Sequence, residues 1–175
     1  GFGLDAIATG SLILVYFLGN LAMKAATTGF LRLLGFRTLL VFNGVLASAL
    51  VACLGLIGPD TGNTLLWPVL FAAGLTRSMQ FTALNTIAFA DIEARQRGDA
   101  ATISAISQQI SQLLSIAGSI AVIRLIHAFD LVGPDREAAA FALALMVMGA
   151  IGIASSLAFL RLPADAGHEV SGRRA

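Results

Sequence analysis

The stretch GLTRSMQFTALNTIAFADI, residues 74–92, lies inside a long apolar run yet carries Arg77, Gln80 and Asn85. An arginine near the middle of a membrane span costs roughly 2.5–3.5 kcal/mol on insertion scales. Such a residue persists where it has a partner or a task. The chain on either side reads as membrane helices set around this one.

Composition points to a bilayer as the solvent. The chain has 175 residues, 57% of them hydrophobic and only 12% charged. Soluble domains carry about 25% charge, so a polytopic membrane protein is the first reading. No basic block of the kind nucleic-acid binding needs is present. The lone cysteine, Cys53, sits in an apolar run, where it reads as a small buried hydrophobe; it can build neither a disulfide nor a cysteine metal site. The chain opens on Gly1, with no basic region before its first apolar run and no cleavage pattern after it. The expectation is a part of a longer protein.

Five spans follow from the apolar runs, at about 6–28, 38–57, 65–90, 100–126 and 138–160. Each is long enough for a hydrocarbon core of about 30 Å. They make residues 1–163 one five-span membrane domain. Residues 164–175, with scattered glycines and charges, read as a disordered tail. No alternation of lipid-facing and lumen-facing residues suggests a barrel. The fold class is therefore all-α, a transmembrane helix bundle. The basic residues Arg32, Arg37, Arg95, Arg97, Arg161, Arg173 and Arg174 share one set of helix ends. The positive-inside rule makes those ends, and the C-terminus, cytoplasmic.

Polarity separates the spans. In the third, Gln80 lies about 60° from Arg77 and Asn85 about 80° to the other side, with Phe81 and Leu84 between. This mixed face suits an amphipathic organic ligand; the alternative is an arginine locked to carbonyls or a carboxylate to hold the bundle. In the fourth, Ser104, Gln108, Ser111, Ser115 and Ser119 fall within an arc of roughly 80°, with Gln112 beside it. Such a stripe meets another helix or a water-filled cavity. Serines serve close packing equally well, whereas the long amides Gln108 and Gln112 suit a cavity wall better. The second and fifth spans are apolar all round and read as peripheral. Lys24 is close enough to the cytoplasmic side to snorkel. No enzyme constellation emerges. His127 and His168 stand apart, every carboxylate lies at a helix end, in a loop or in the tail, and no cofactor fingerprint or metal-ligand cluster occurs.

RSMQFTALNTIAFADI, its short polar loop and the helix AATISAISQQISQLLSIAGSI resemble the C-terminal part of the major facilitator superfamily, in its branch of EmrB/QacA-like drug:proton antiporters. LRLLGFRTLL, residues 31–40, is similar to the second copy of that superfamily's cytoplasmic loop motif. Arg32, Gly35 and Arg37 match its basic and glycine positions, and its acidic position has no evident counterpart. The resemblance implies the last five helices of an incomplete C-terminal six-helix bundle. In that pattern the second and fifth spans are peripheral and the third lines the cavity, as polarity alone suggests. It implies alternating access, with proton entry exchanged for drug exit at a site near the bilayer midplane. Arg77, Gln80, Asn85, Gln108 and Gln112 would line one wall of the substrate cavity. Arg32, Gly35 and Arg37 would form a cytoplasmic gate loop. The partners implied are the lipid bilayer, a missing N-terminal bundle of the same protein, a small organic substrate and protons. The location implied is the cell inner membrane. Two other readings stand beside this one: a narrow-specificity metabolite transporter, and a non-transporting scaffold in which the polar stripes only pack helices.

Overall fold

The computed structural model describes residues 5–57, 63–133, 137–163 and 166–167. Residues 58–62 of the expected loop around 58–64, Pro134 and Arg136, and most of the tail, including His168, Arg173 and Arg174, lie outside the described residues. Four α-helices account for nearly all the rest: α1 (Ala6–Leu56), α2 (Asn63–Ala88), α3 (Arg97–Ala128) and α4 (Glu137–Leu157). Short 3₁₀ turns at Ala94–Gln96 and Ala158–Arg161 precede α3 and extend α4. No strand occurs among the described residues. The all-α membrane bundle is what the sequence predicts.

The first two expected spans are joined far more tightly than the sequence suggests. α1 runs for 51 residues, and its helical geometry breaks only at Gly35, with φ 74° and ψ 165°. That region of backbone space is essentially open to glycine alone and costs other residues of order 1–3 kcal/mol. The expected interval between the first two spans, residues 29–37, is thus one residue, which divides α1 into arms 6–34 and 36–56. Each arm is long enough for one crossing, at about 1.5 Å per residue. A Gly35→Ala protein should lose about 1–3 kcal/mol of stability, read as a lowered midpoint of thermal unfolding in detergent. Gly29→Ala, on an open face of the same helix, should lose none.

Both arms pack on α2. Gly19 of the first arm abuts the Phe71 carbonyl and the Leu75 amide, and Gly74 abuts Tyr16 and Asn20. Farther along, Leu31 shares a buried cluster with Phe36, Leu39, Leu40 and Ala83. The first arm and α2 therefore run in the same direction. The second arm runs against α2, as Asn43 meets Thr76 and Leu40 meets Gln80. It also runs against α4 along a seam of small residues. Gly55 faces Ala142, Ala52 faces Gly149, Ser48 faces Gly152 and Gly44 faces Ser156. Small side chains let two helix backbones approach in a medium that gives no hydrophobic push.

This seam corrects one expectation. The second span was predicted to be peripheral because it is apolar all round. One face of its arm instead holds the largest fully buried side chains among the described residues, Phe36, Leu39, Leu40 and Asn43, and only the other face, with Phe42 and Leu46 exposed, is peripheral. A helix flanked by other helices looks as apolar as one flanked by lipid.

α3 is the least embedded element. Ile126, near its end, is buried with Ala140 and Ala144 of α4. Most of the apolar residues before that point are exposed, among them Ile103, Ile106, Leu113 and Leu114. Among the described residues, three stretches are long and apolar enough to cross a membrane by length and composition: α1, α3 and the continuous helix Glu137–Arg161. α2 is not among them, since Thr76, Arg77, Ser78, Gln80 and Asn85 dilute it. It is the helix clasped by both arms of α1.

Candidate functional site

The polar residues of α2 divide between two sides of the helix. On one side Asn43, only 1% exposed, reaches across from α1. Its Nδ2 donates to the Thr76 carbonyl and to Gln80 Oε1, each at 2.8 Å. Gln80 Nε2 donates back to the Leu40 carbonyl at 3.4 Å. These bonds form a clasp between the second arm and α2. In a membrane such side-chain bonds average about 0.6 kcal/mol and reach about 1.7 kcal/mol. Asn43 Oδ1 is buried with no protein partner.

The other side of α2 is open. Arg77 is exposed, and Phe81 and Leu84 beside it are 55% and 38% exposed. Asn85 closes this face at the end nearest Gly35. Its Nδ2 donates to its own helix at the Phe81 carbonyl, and its Oδ1 accepts from Gln108 Nε2 of α3 at 3.4 Å. Gln108 Nε2 also lies 3.4 Å from Ser104 Oγ. Beyond this bridge α3 makes no extensive contact with α2. Ser111 and Ser119 turn their hydroxyls back to the carbonyls one turn earlier, at 2.8 Å. Gln112 is exposed.

Of the five expected cavity residues, the structure brings Asn85 and Gln108 together and leaves Arg77 and Gln112 open. Gln80 goes to the clasp. Asn43 and Thr76 are the residues that sequence reasoning passed over. The signal for Asn43 was present, as an amide in an otherwise apolar span. The loop residues Arg32, Gly35 and Arg37 share one end of the bundle with Arg95, Arg97 and Arg161. Arg32 is exposed and Arg37 half-buried. Gly167 lies over the Phe36 ring at this same end. Two cavities stand out on the described residues, of about 370 and 550 Å³. Both border α1, and neither is lined by Arg77, Asn85, Gln108 or Gln112. Among the described residues no cluster of His, Cys, Asp or Glu could hold a metal ion.

The fold and these polar faces are those of a multi-pass membrane protein. Relatives are consistent with this. The chain is 29% identical over 167 residues to the "Putative multidrug resistance protein MdtD" of Serratia proteamaculans, covering 94% of the chain and 35% of that relative. It is 27% identical over 173 residues to the protein of the same name from Yersinia enterocolitica, covering 95% of the chain and 36% of the relative. It is 28% identical over 130 residues to the "Probable transport protein HsrA" of Haemophilus influenzae, covering 73% of the chain and 28% of the relative. The chain thus spans about a third of the length of these curated relatives. No family model matches it. No solved structure matches it.

Proposed function

We propose that this chain is part of a membrane transporter that exports amphipathic organic compounds in exchange for protons, by alternating access, in the major facilitator manner. The open face of α2 supports this reading most. It sets a cation, Arg77, beside exposed Phe81 and Leu84, on a face that Asn85 joins to the helix with the serine and glutamine stripe. Such a surface can hold the apolar body of a ligand and a polar group at once. The names of the relatives point to transport and drug resistance. The basic end, with Arg32, Arg37 and Arg161, is cytoplasmic on this reading, and the protein lies in the inner membrane. Arg32, Gly35 and Arg37 belong to its cytoplasmic gate. The spans contain no carboxylate to carry a proton, so the proton carrier belongs to the rest of the transporter. Arg77 also keeps a second reading alive, a narrow-specificity transporter of an anionic metabolite.

Cysteine accessibility tests the cavity. In a cysteine-free version of the full-length protein, single cysteines at Ser104, Gln108 and Ser115 should react with a water-soluble thiol reagent. The amphipathic substrate should slow that reaction. Cysteines at Leu113 and Leu114 should stay unreactive in the bilayer. If positions 104, 108 and 115 are as inert as 113 and 114 from both sides of the membrane, the stripe only packs helices and the transport site lies elsewhere.

A further inference from the structure

A second surface, distinct from the open face of α2, runs along the outside of the second arm of α1. Leu34, Arg37, Val41, Phe42, Val45 and Leu160 line a groove of about 550 Å³ there. Residues 37, 41 and 45 are four apart and so lie on one face of the helix. Arg37 is the only charged residue of the groove and stands at its Gly35 end. Phe42, 65% exposed, also borders the adjoining 370 Å³ cleft, which Phe30 and Leu46 continue. The result is a long apolar surface left uncovered among the described residues, headed by one guanidinium at the level of the other basic residues.

The two parts of this surface together select an occupant. A small aqueous anion has no use for the apolar part. A plain hydrocarbon has no use for Arg37. A guanidinium presents a planar fork that fits two phosphate oxygens, and exposed Phe42 and Leu34 with half-buried Val41 suit an acyl chain. We infer that this groove is a binding site for an anionic phospholipid, its phosphate on Arg37 and one acyl chain along Val41–Val45. The site stands whether or not the protein exports drugs. A net negative headgroup gains over a zwitterionic one because one arginine near a charged surface is worth about a fivefold preference.

Native mass spectrometry of the purified full-length protein, titrated with phosphatidylglycerol and phosphatidylcholine, tests the site. The first lipid bound should favour phosphatidylglycerol by about fivefold. Arg37→Gln should bring the two lipids to within about twofold of each other, and Arg37→Lys should keep most of the preference. Arg32→Gln, outside the groove, should keep all of it. Soluble glycerol phosphate at the same concentration should leave the bound lipid in place. Equal binding of the two lipids by the unmodified protein would overturn the proposal. So would a full preference in Arg37→Gln, an equal loss in Arg32→Gln, or displacement by glycerol phosphate.

Discussion

Replacing Arg77 with alanine should lower export of an amphipathic dye at least about tenfold in the full-length protein, while its amount in the membrane stays within about twofold of the unmodified protein. The size follows from what a guanidinium contributes when it meets a polar group away from water. A charged hydrogen bond is worth about 1.5–3 kcal/mol, and 1.4 kcal/mol is a factor of ten. The sparing of the fold follows from exposure. Arg77 stands on the open side of α2, so its removal leaves no cavity in the packed interface. Gln80→Leu provides the contrast. It removes one of the two partners of Asn43 and should lower the thermal midpoint more than it lowers export per folded molecule. Dye-efflux rates normalised to membrane protein separate the two effects. Unchanged efflux in Arg77→Ala would take the residue out of the site. A joint loss of protein and efflux would make it a structural residue.

Gly74→Leu should have the largest effect on the fold itself. A Cβ at Gly74 would fall on the Tyr16 carbonyl and the Asn20 amide, which are backbone atoms of the neighbouring arm. A flexible side chain could turn aside, but a helix backbone has to move as a whole. Gly19 lies in the reciprocal position against Phe71 and Leu75, so the two helices cannot slide to a new close approach. Overpacking costs about 1–3 kcal/mol. For a chain of this size that corresponds to a fall of roughly 2–12 °C in the unfolding midpoint. Gly29→Leu, with nothing near its missing Cβ, should leave the midpoint unchanged. Thermal unfolding followed by size-exclusion chromatography reads both, and equal midpoints would show that the α1–α2 crossing is not where the bundle is held.

The fold class was legible because the bilayer demands it. Long apolar runs with polar punctuation leave little but membrane helices. The first break was legible as an interval containing Gly35, though neither its single position nor its sharpness was. A run of leucine and arginine around one glycine looks like a loop, and only the backbone geometry shows that a single residue suffices. Burial was the least readable property. Leu39 and Phe42 are equally apolar, yet one is fully buried and the other faces outward. In lipid, hydrophobicity no longer marks the inside. Small residues do so better, as Gly44, Ser48 and Gly55 show along the seam with α4.

The polar site was half legible. Arg77, Gln80 and Asn85 stand out by type, and helical geometry spreads them around α2. Which neighbour takes which residue depends on the register between helices, and that register is set by the crossing at Gly19 and Gly74. Gln80 therefore went to α1 and Asn85 to α3. The Asn85–Gln108 bridge joins two residues that were each singled out, but the sequence holds no sign that they pair.

The looseness of α3 has an energetic meaning. Between its end on α4 and the bridge at Gln108, little side-chain packing resists its motion. The bridge is long, at 3.4 Å, and bonds of this kind in membranes average about 0.6 kcal/mol, close to RT at room temperature. Moving the Gln108 end of α3 would thus break a bridge of about that size, whereas its far end is held by Ile126 against Ala140 and Ala144. The second arm, clamped along both α2 and α4, has no such freedom. The bundle therefore pairs a closely packed frame of α1, α2 and α4 with one helix held mainly at its far end. That helix carries the serines and glutamines, and its link to the open face of α2 is the single bridge at Asn85.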